Sequence, residues 1–305
     1  MRVFVTGASG WVGTAVVAEL QAAGHQVAGL ARSDASAAAL ADAGVEVVRG
    51  TLDDLDALRE TAAGADGVIH LAFRHDLIYG GDFPGAIAAD RAAIEALGAA
   101  LAGSDRPLLI ASGTGALGGD GVATEDTLPG ASTHAAAGRM ENERLLLALP
   151  GVRAVSVRLP PTVHGIGDPG FIAFVAQSAR THGASAYVGD GANAWAAVHR
   201  SDAARVFRLG LEQAPAGSVL HAVAEEGVPF RAIAEALGRE LGLPVTAIDA
   251  AAAAGHFGFL GGFAGSDMRA SSAKTQTLLG WTPSGPTLLE DIAAGAYPAT
   301  AASAA

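Results

Sequence analysis

Three glycines, Gly7, Gly10 and Gly13, follow one another at intervals of three residues near the start of the chain. A backbone without side chains can turn tightly and can approach a phosphate group closely. We expect Gly7 to form the tight turn, Gly10 to lie against a phosphate, and Gly13 to let a helix pack on a strand. The spacing therefore predicts a binding site for a dinucleotide.

The segments around these glycines are the ones that such a site requires. An apolar run at 3–5 has the composition of a buried parallel strand, and residues 14–23 place apolar side chains at helical spacing. A second strand at 25–31 completes a βαβ unit of ~30 residues. The N–H groups at the start of the helix then face an anion, and Ser9, Trp11 and Val12 join the glycines as expected cofactor contacts.

Composition narrows the class of protein. The chain has 305 residues, 50% of them hydrophobic, and a formal net charge of −12, which suits a large core and argues against binding nucleic acid. Cysteine is absent and the histidines show no metal-binding spacing, so we expect no metal. Because Met1 leads directly into a strand and no apolar run reaches ~18 residues, we expect a cytoplasmic protein without a membrane segment.

The end of the second strand indicates which nucleotide binds. Arg32 and Ser33 stand there, and Asp34 follows too late to meet the adenine ribose. A carboxylate at this strand end binds the free 2′-hydroxyl of NAD, whereas an arginine suits the 2′-phosphate of NADP. We therefore predict NADP(H), the alternative being an arginine that is merely solvated.

Two more segments are expected to contact the cofactor. Asp53, after a third strand at 45–49, would accept a hydrogen bond from the adenine amino group, cap the following helix, or do both. A fourth strand at 67–72 ends against the cofactor in this topology, so the backbone of Leu71, Ala72 and Phe73 is expected beside the ribose and the pyrophosphate.

The fifth strand, at 107–111, delivers two hydroxyl groups to the carboxyl edge of the sheet, where open α/β sheets bind their ligands. Thr114 or Ser112 would hydrogen-bond the acceptor atom of a substrate, with Thr114 preferred, or either would only bond the loop backbone. Loops are expected at 74–85 and 118–134, each followed by a helix, at 87–102 and 135–149.

Alternating strands and helices up to residue 165 predict a Rossmann-type, doubly wound parallel α/β sheet as the dinucleotide-binding domain. Residues 166–305 are expected to form a smaller C-terminal substrate-binding lobe, with about 195–222 returning to the first domain. Helices are predicted at 170–180, 201–211 and 230–241, and a polar loop at 187–191. Aromatic side chains expected near the cleft indicate an apolar substrate pocket, the alternative for about half of them being core packing of the small lobe. They are Phe73, Tyr79, Phe171, Tyr187, Trp195, Phe257 and Phe263.

Five landmarks resemble the extended short-chain dehydrogenase/reductase family, in its NAD-dependent epimerase/dehydratase branch. They are Thr6-Gly7-Ala8-Ser9-Gly10-Trp11-Val12-Gly13, His70-Leu71-Ala72, Val157-Arg158-Leu159-Pro160-Pro161-Thr162-Val163-His164-Gly165, Val198-His199-Arg200-Ser201-Asp202-Ala203-Ala204 and Leu278-Leu279-Gly280-Trp281-Thr282-Pro283. They keep the family's order over nearly the whole chain. The resemblance implies that Pro160 and Thr162 border the nicotinamide, that His164 lies at the lobe junction beside the substrate pocket, and that helices 87–102 and 135–149 form a homodimer.

The resemblance fails at the catalytic pair. The family carries Tyr-x-x-x-Lys with a Glu four residues later, and matching that Glu to Glu143 places Arg139 on the lysine position and Ala135 on the tyrosine position. Arg139 stays charged and is able to hold the nicotinamide ribose, but it is poorly suited to adjust the pKa of a neighbouring group. The chain therefore resembles atypical members that lack the tyrosine proton donor.

The candidates for the missing proton are His134, which equally well caps the next helix, Tyr187 or Tyr79 from the substrate side, and a water molecule. The leading hypothesis is an NADPH-dependent reductase of a carbonyl or imine on a mostly apolar small molecule. One alternative is a binding protein that senses the NADP redox state without turnover. A sugar-nucleotide epimerase or dehydratase is disfavoured, because those reactions need the absent tyrosine.

Overall fold

The structure is a computed structural model that describes residues 1–115, 117, 121–128 and 136–298. Its strands are β1 Arg2–Thr6, β2 Gln26–Ala31, β3 Glu46–Arg49, β4 Gly67–His70, β5 Pro107–Gly113, β6 Arg153–Leu159, β7 Thr162–His164, β8 Ser185–Val188, β9 Ala194–His199, β10 Ser218–His221, β11 Glu225–Pro229 and β12 Val245–Ile248. Its α-helices are α1 Trp11–Ala22, α2 Asp34–Asp42, α3 Leu55–Ala63, α4 His75–Tyr79, α5 Phe83–Leu101, α6 Ala136–Leu147, α7 Phe171–His182, α8 Arg200–Gln213, α9 Phe230–Leu241, α10 Ala253–Phe257, α11 Gly261–Ala264, α12 Ala273–Leu279 and α13 Leu288–Ala293. Two 3₁₀ turns lie at Ala250–Ala252 and Gly258–Leu260.

The main sheet has seven strands in the spatial order β3-β2-β1-β4-β5-β6-β10. Each neighbouring pair in it is parallel. The chain winds outward from β1 to β3 and then crosses to β4 on the other side of β1, so the strand order reverses between β1 and β4. This switch point, where such sheets open a ligand crevice, confirms the predicted Rossmann-type doubly wound fold.

The burial of strand β1 explains its run of apolar residues. Val3 and Val5 pack with α1 and α8 on one face of the sheet, whereas Phe4 packs with α3, α5 and α6 on the other. All three side chains are fully buried. Because side chains alternate between faces and helices cover both, the three central positions of the strand must be apolar.

The C-terminal elements build a second core around Trp195 and Phe230, with contributions from α7, α9, α10 and α13. Beside it, β7, β9 and β11 form one small sheet, and β8 pairs in parallel with β12. The chain also returns to the first core, because β10 pairs with β6 and Trp281 packs with the residues that α1 and α8 bury. The boundary at residue 165 stays a prediction.

Two local predictions are wrong. The loop expected at 74–85 contains the short helix α4 and the first turn of α5, where Asp82 caps the helix by accepting from Gly85 N at 2.9 Å. The loop expected at 187–191 begins with the last two residues of β8, whose partner β12 lies far along the chain. In contrast, α9 has the predicted bounds. No helix in the part of the chain that the structure describes is long and apolar enough to cross a membrane.

Candidate active site

The glycine corner joins β1 to α1. Gly7 has φ +69°, and a Cβ on it would lie 2.7 Å from Ala72 N. A Cβ on Gly13 would lie 2.0 Å from Gly7 O, whereas one on Gly10 would meet only Gly7 O at 3.2 Å. Gly7 is thus required by both conformation and crowding, and Gly13 by the close packing of the helix on the turn.

A cavity of about 900 Å³ opens over this corner at the carboxyl ends of the strands. It brings together many of the residues predicted from the sequence. Those on its wall are Gly7, Ser9, Gly10, Trp11, Val12, Gly13, Arg32, Asp53, Leu71, Ala72, Phe73, Ser112, Arg139, Pro160 and Phe171.

One end of the cavity carries the groups expected around an adenosine. The side chain of Arg32 is 71% exposed, with Nη1 3.9 Å from Asp76 Oδ1. Asp34 is paired with Arg49 at 2.5 Å and is not part of the cavity wall. The strand end therefore presents an arginine to the cavity while its nearest acidic neighbour along the chain is engaged elsewhere.

Two other residues predicted at this end have definite partners. Ser33 caps α2 by accepting from Ser36 N and lies off the cavity wall. Asp53 Oδ2 accepts from Arg74 Nη1 at 2.9 Å, and the residue at the N-cap of α3 is Asp54. The expectation that Asp53 caps this helix is therefore wrong by one position.

Arg139 and Phe73 form the middle of the cavity wall. The guanidinium of Arg139 lies 4.3 Å from the centre of the Phe73 ring, and its Nη2 donates to Ala111 O at 2.7 Å. Burial lowers the pKa of Arg139, with the charges of Asp90 and Glu143 opposing the shift. Because an arginine keeps its proton even so, Arg139 places a fixed positive charge beside the end of β5.

Two hydroxyls lie at that strand end. Ser112 is on the cavity wall, whereas Thr114, the residue preferred from the sequence, is buried behind it. Neither hydroxyl makes a hydrogen bond of normal geometry with any residue that the structure describes. Burial alone would raise the pKa of Glu143, but Arg158 and Ser156, with Ser112 nearby, lower it. Of these two residues, Ser112 is the one on the cavity wall, and its Oγ is buried there.

A buried polar network that the sequence did not suggest supports this wall from below. His70 lies 3.2 Å from Asp90 Oδ1 through Nε2 and 2.7 Å from Thr6 Oγ1 through Nδ1. Asn142 Nδ2 donates to Asp90 Oδ2 at 2.7 Å, and Thr6 Oγ1 accepts from Ala72 N at 3.2 Å. The network ties the end of β1 to the backbone of Ala72 and to α6, the helix that carries Arg139.

Several predicted residues lie away from the cavity wall. Thr162 is buried beneath the wall, and His164 is fully buried with Nδ1 2.6 Å from Asp291 Oδ2. Tyr187 lies in β8 against Arg231, and Trp195 is buried in the second core behind Phe171. None of these four side chains is therefore placed to contact a ligand at the cavity wall.

The described geometry gives no support to Tyr187 as the proton donor, and the side chain of Tyr79 lies outside the described part of the structure. Tyr187 is not on the cavity wall, and no local sequence pattern indicates that β8 places it against Arg231 of α9. Tyr79 ends the short helix α4. His134 and Ala135 lie outside the described residues.

The far end of the cavity is largely apolar. Phe171, Phe263 and Met268 line it, and the Phe171 and Phe263 rings lie 6.0 Å apart. Phe171 also contacts Phe259, which is 56% exposed, at 6.3 Å. The aromatic surface therefore continues from the cavity to the outside of the protein.

One carboxyl that sequence reasoning missed lies on this wall. Asp168 is 6% exposed, and its Oδ1 accepts from Gly170 N and its Oδ2 from Tyr297 Oη, each at 2.6 Å. Burial raises the pKa of Asp168 to about 6 against these two hydrogen bonds, and Asp291 adds to the rise. Tyr297 is 129 residues away in the chain, so no local motif marks the pair.

Comparison with known proteins agrees with this geometry. Residues 3–224 match the model of the NAD dependent epimerase/dehydratase family. The chain is 46% identical to an uncharacterized protein of Schizosaccharomyces pombe over 299 residues, which are 97% of this chain and 100% of that protein.

Solved structures share the fold. UDP-glucose 4-epimerase from Thermotoga maritima, solved with UDP-glucose, has a TM-score of 0.76 at 18% identity, with 96% of each chain covered. A dTDP-glucose 4,6-dehydratase from Streptomyces venezuelae, solved with NAD and TYD, has a TM-score of 0.75 at 21% identity over 97% of this chain and 96% of that one. The family match, the sheet order and the glycine corner together establish that the chain belongs to the NAD dependent epimerase/dehydratase family, as an enzyme of nicotinamide-dependent oxidoreductase or epimerase type.

Proposed function

We propose that the protein is an NADPH-dependent oxidoreductase that reduces a carbonyl, or an imine, on a mostly apolar small molecule. The observation that carries this proposal is the single cavity that joins the glycine corner to the apolar end formed by Phe171, Phe263 and Met268. Ser112 and Arg139 lie on the same wall. A nucleotide and an apolar substrate can therefore share one cavity.

The residues present fit a nicotinamide dinucleotide. The crowded, side-chain-free turn at Gly7 and the open approach at Gly10 suit a pyrophosphate at the start of α1. Arg139 would hold the nicotinamide ribose, and the backbone at Pro160 would meet the carboxamide. When bound, the reduced nicotinamide supplies a hydride to the acceptor carbon.

The preference for NADPH is supported by the charges around Arg32. Its side chain is exposed at the cavity wall, and Asp34, the only acidic residue next to this strand end in sequence, is held by Arg49. A 2′-phosphate placed there would meet Arg32, whereas a free 2′-hydroxyl would find no carboxylate from Asp34.

Ser112 would orient the acceptor atom by donating its hydroxyl hydrogen at the cavity wall, in exchange for the interaction by which it lowers the pKa of Glu143. An imine suits this site as well as a ketone, since an imine nitrogen can arrive already protonated. The absence of a tyrosine at position 135 then matters less.

The far end of the cavity disfavours a sugar-nucleotide substrate. Among the described residues that line the cavity, the cationic side chains are Arg32, Arg74 and Arg139, which lie by the expected cofactor contacts. The far end presents Asp168 and apolar side chains. A second diphosphate would meet a carboxyl instead of a cation there.

The test is the loss of NADPH absorbance on a panel of bulky ketones, aldehydes and cyclic imines, with NADH measured in parallel. We expect turnover of at least one apolar class and a preference for NADPH. Gly13→Val, which would press a side chain against Gly7 O, is the control for contaminating reductases and should be inactive. NADPH binding without turnover of any class would instead favour the redox sensor, and interconversion of a sugar nucleotide would favour the epimerase.

A further inference from the structure

We propose that Asp168 is the catalytic acid of the reduction, the group that gives a proton to the acceptor oxygen or nitrogen in place of the family's tyrosine. This inference rests on the proposed function. Asp168 follows β7 and faces the same cavity as Ser112 and Phe171. Its carboxyl is buried, yet it belongs to the wall that a substrate would contact.

The surroundings of Asp168 raise the pKa of its carboxyl. In the described part of the chain no arginine or lysine forms an ion pair with it; its neighbours are the Tyr297 hydroxyl, the Gly170 N–H and, farther away, the carboxyl of Asp291 on α13. Burial and the like charge of Asp291 disfavour the carboxylate, and the pKa of Asp168 rises to about 6. Such a carboxyl is partly protonated close to neutral pH, as a general acid must be.

The wall also carries His75 and two carboxylates, Asp53 and Asp76, both of which form ion pairs with Arg74. Burial lowers the pKa of His75, and the positive charge of Arg139 lowers it further. A histidine with a lowered pKa is neutral at working pH and gives up a ring proton poorly. The environment thus lowers the pKa of His75 and raises the pKa of Asp168, so Asp168 is the better proton donor of these two groups.

The step balances without a further reagent. As the acceptor carbon gains the hydride, the π bond of the C=O or C=N group breaks and its electron pair goes to the heteroatom. The Asp168 O–H bond breaks, the proton forms a new bond to that heteroatom, and the carboxylate left behind is held by Tyr297 and Gly170. Solvent then returns a proton to Asp168 before the next turnover.

The experiment follows kcat for the best ketone from about pH 5 to about pH 9. In the wild type kcat should fall about tenfold per pH unit above the pKa of the acid, because the protonated form is the active one. Asp168→Asn should lose about 10²- to 10⁴-fold in kcat and should lose this pH dependence. Asp249→Asn, at an exposed carboxyl whose side chain caps no helix, is the matched control and should behave like the wild type.

Tyr297→Phe gives a second readout. The Tyr297 hydrogen bond lowers the pKa of Asp168, so its removal should move the fall in kcat to higher pH. Infrared difference spectra between acidic and neutral pH should show a carboxylic acid band that titrates near pH 6 in the wild type and in Asp249→Asn and is missing in Asp168→Asn.

Two results would overturn the proposal. If the wild type reduces the ketone and Asp168→Asn keeps both its rate and its pH dependence, Asp168 is not the acid, although the reductase function stands. If the fall in kcat stays in place in Tyr297→Phe while the infrared band moves, the group that titrates in kcat is another one. Absence of any turnover in the wild type would instead refute the proposed function itself.

Discussion

The two ends of the cavity are built in different ways. At the cofactor end the shape comes from the backbone of one short segment, where Gly7 and Gly13 leave no room for a side chain. At the substrate end it comes from side chains that are distant in sequence, such as Asp168, Met268 and Tyr297. A site formed by the backbone of one short segment can be predicted from a sequence motif. A site formed by side chains that only folding brings together cannot.

The largest effect is expected at the cofactor end, where two glycine substitutions distinguish the cost of steric crowding from the cost of a left-handed backbone conformation. Gly7 and Gly24 both have positive φ, +69° and +82°, but a Cβ on Gly24 would have nothing within 4 Å. Gly24→Ala should lower the free energy of unfolding by about 1–2 kcal/mol, the cost of the left-handed conformation. Gly7→Ala should lower it by about 2–5 kcal/mol and abolish NADPH binding, because its Cβ also collides with Ala72. Urea unfolding measures both, and equal losses would show that the crowding at Ala72 is unimportant.

A smaller effect, on kcat, is expected from removing the hydroxyl groups at the end of β5. Ser112→Ala should lower kcat by about 10²-fold, because the acceptor atom loses its hydrogen-bond donor. Thr114→Val, which removes a hydroxyl from behind the wall, should leave kcat nearly unchanged. Steady-state kinetics of both variants decide between the two hydroxyls, and the reverse order of effects would restore the assignment to Thr114.

The smallest effect concerns nucleotide choice. Arg32→Ala should weaken NADPH binding by about tenfold and leave NADH binding unchanged, since only NADPH carries the phosphate that Arg32 would contact. Arg59→Ala is the control, because Arg59 is an exposed arginine that pairs with Asp56 on α3 and lies off the cavity wall. Calorimetric titration of both nucleotides measures the difference; equal weakening of NADPH and NADH would refute the NADP preference.

The sequence predicted most strongly what depends on near neighbours. The glycine corner, the buried strand β1 and the amphipathic helix α9 each follow from residues within one segment, and all three are found as predicted. The predictions failed where distant partners decide. Tyr187 enters a strand because β12 pairs with it, and Asp168 gains its environment from Tyr297 near the other end of the described chain.

The start of α5 could have been predicted from the sequence. Asp82 followed by Phe83 and Pro84 is a helix-start signal, since an aspartate suits the N-cap and a proline suits the first turn, and α5 does begin there. The buried network of Thr6, His70, Asp90 and Asn142 could not have been predicted from a local motif. Its four members come from four elements, and only the folded topology brings them into hydrogen-bonding distance.

The position of Trp11 gives the protein an optical reporter of its own. Trp195 and Trp281 are buried in the two cores, whereas Trp11 lies on the cavity wall, donates to Val163 O at 2.8 Å and stacks 4.2 Å from the Arg200 guanidinium. A nucleotide at the glycine corner would therefore approach the indole of Trp11 and not those of the two buried tryptophans. Emission quenching on titration, set against Trp11→Phe, would report occupancy of the cofactor end without a label and without any substrate.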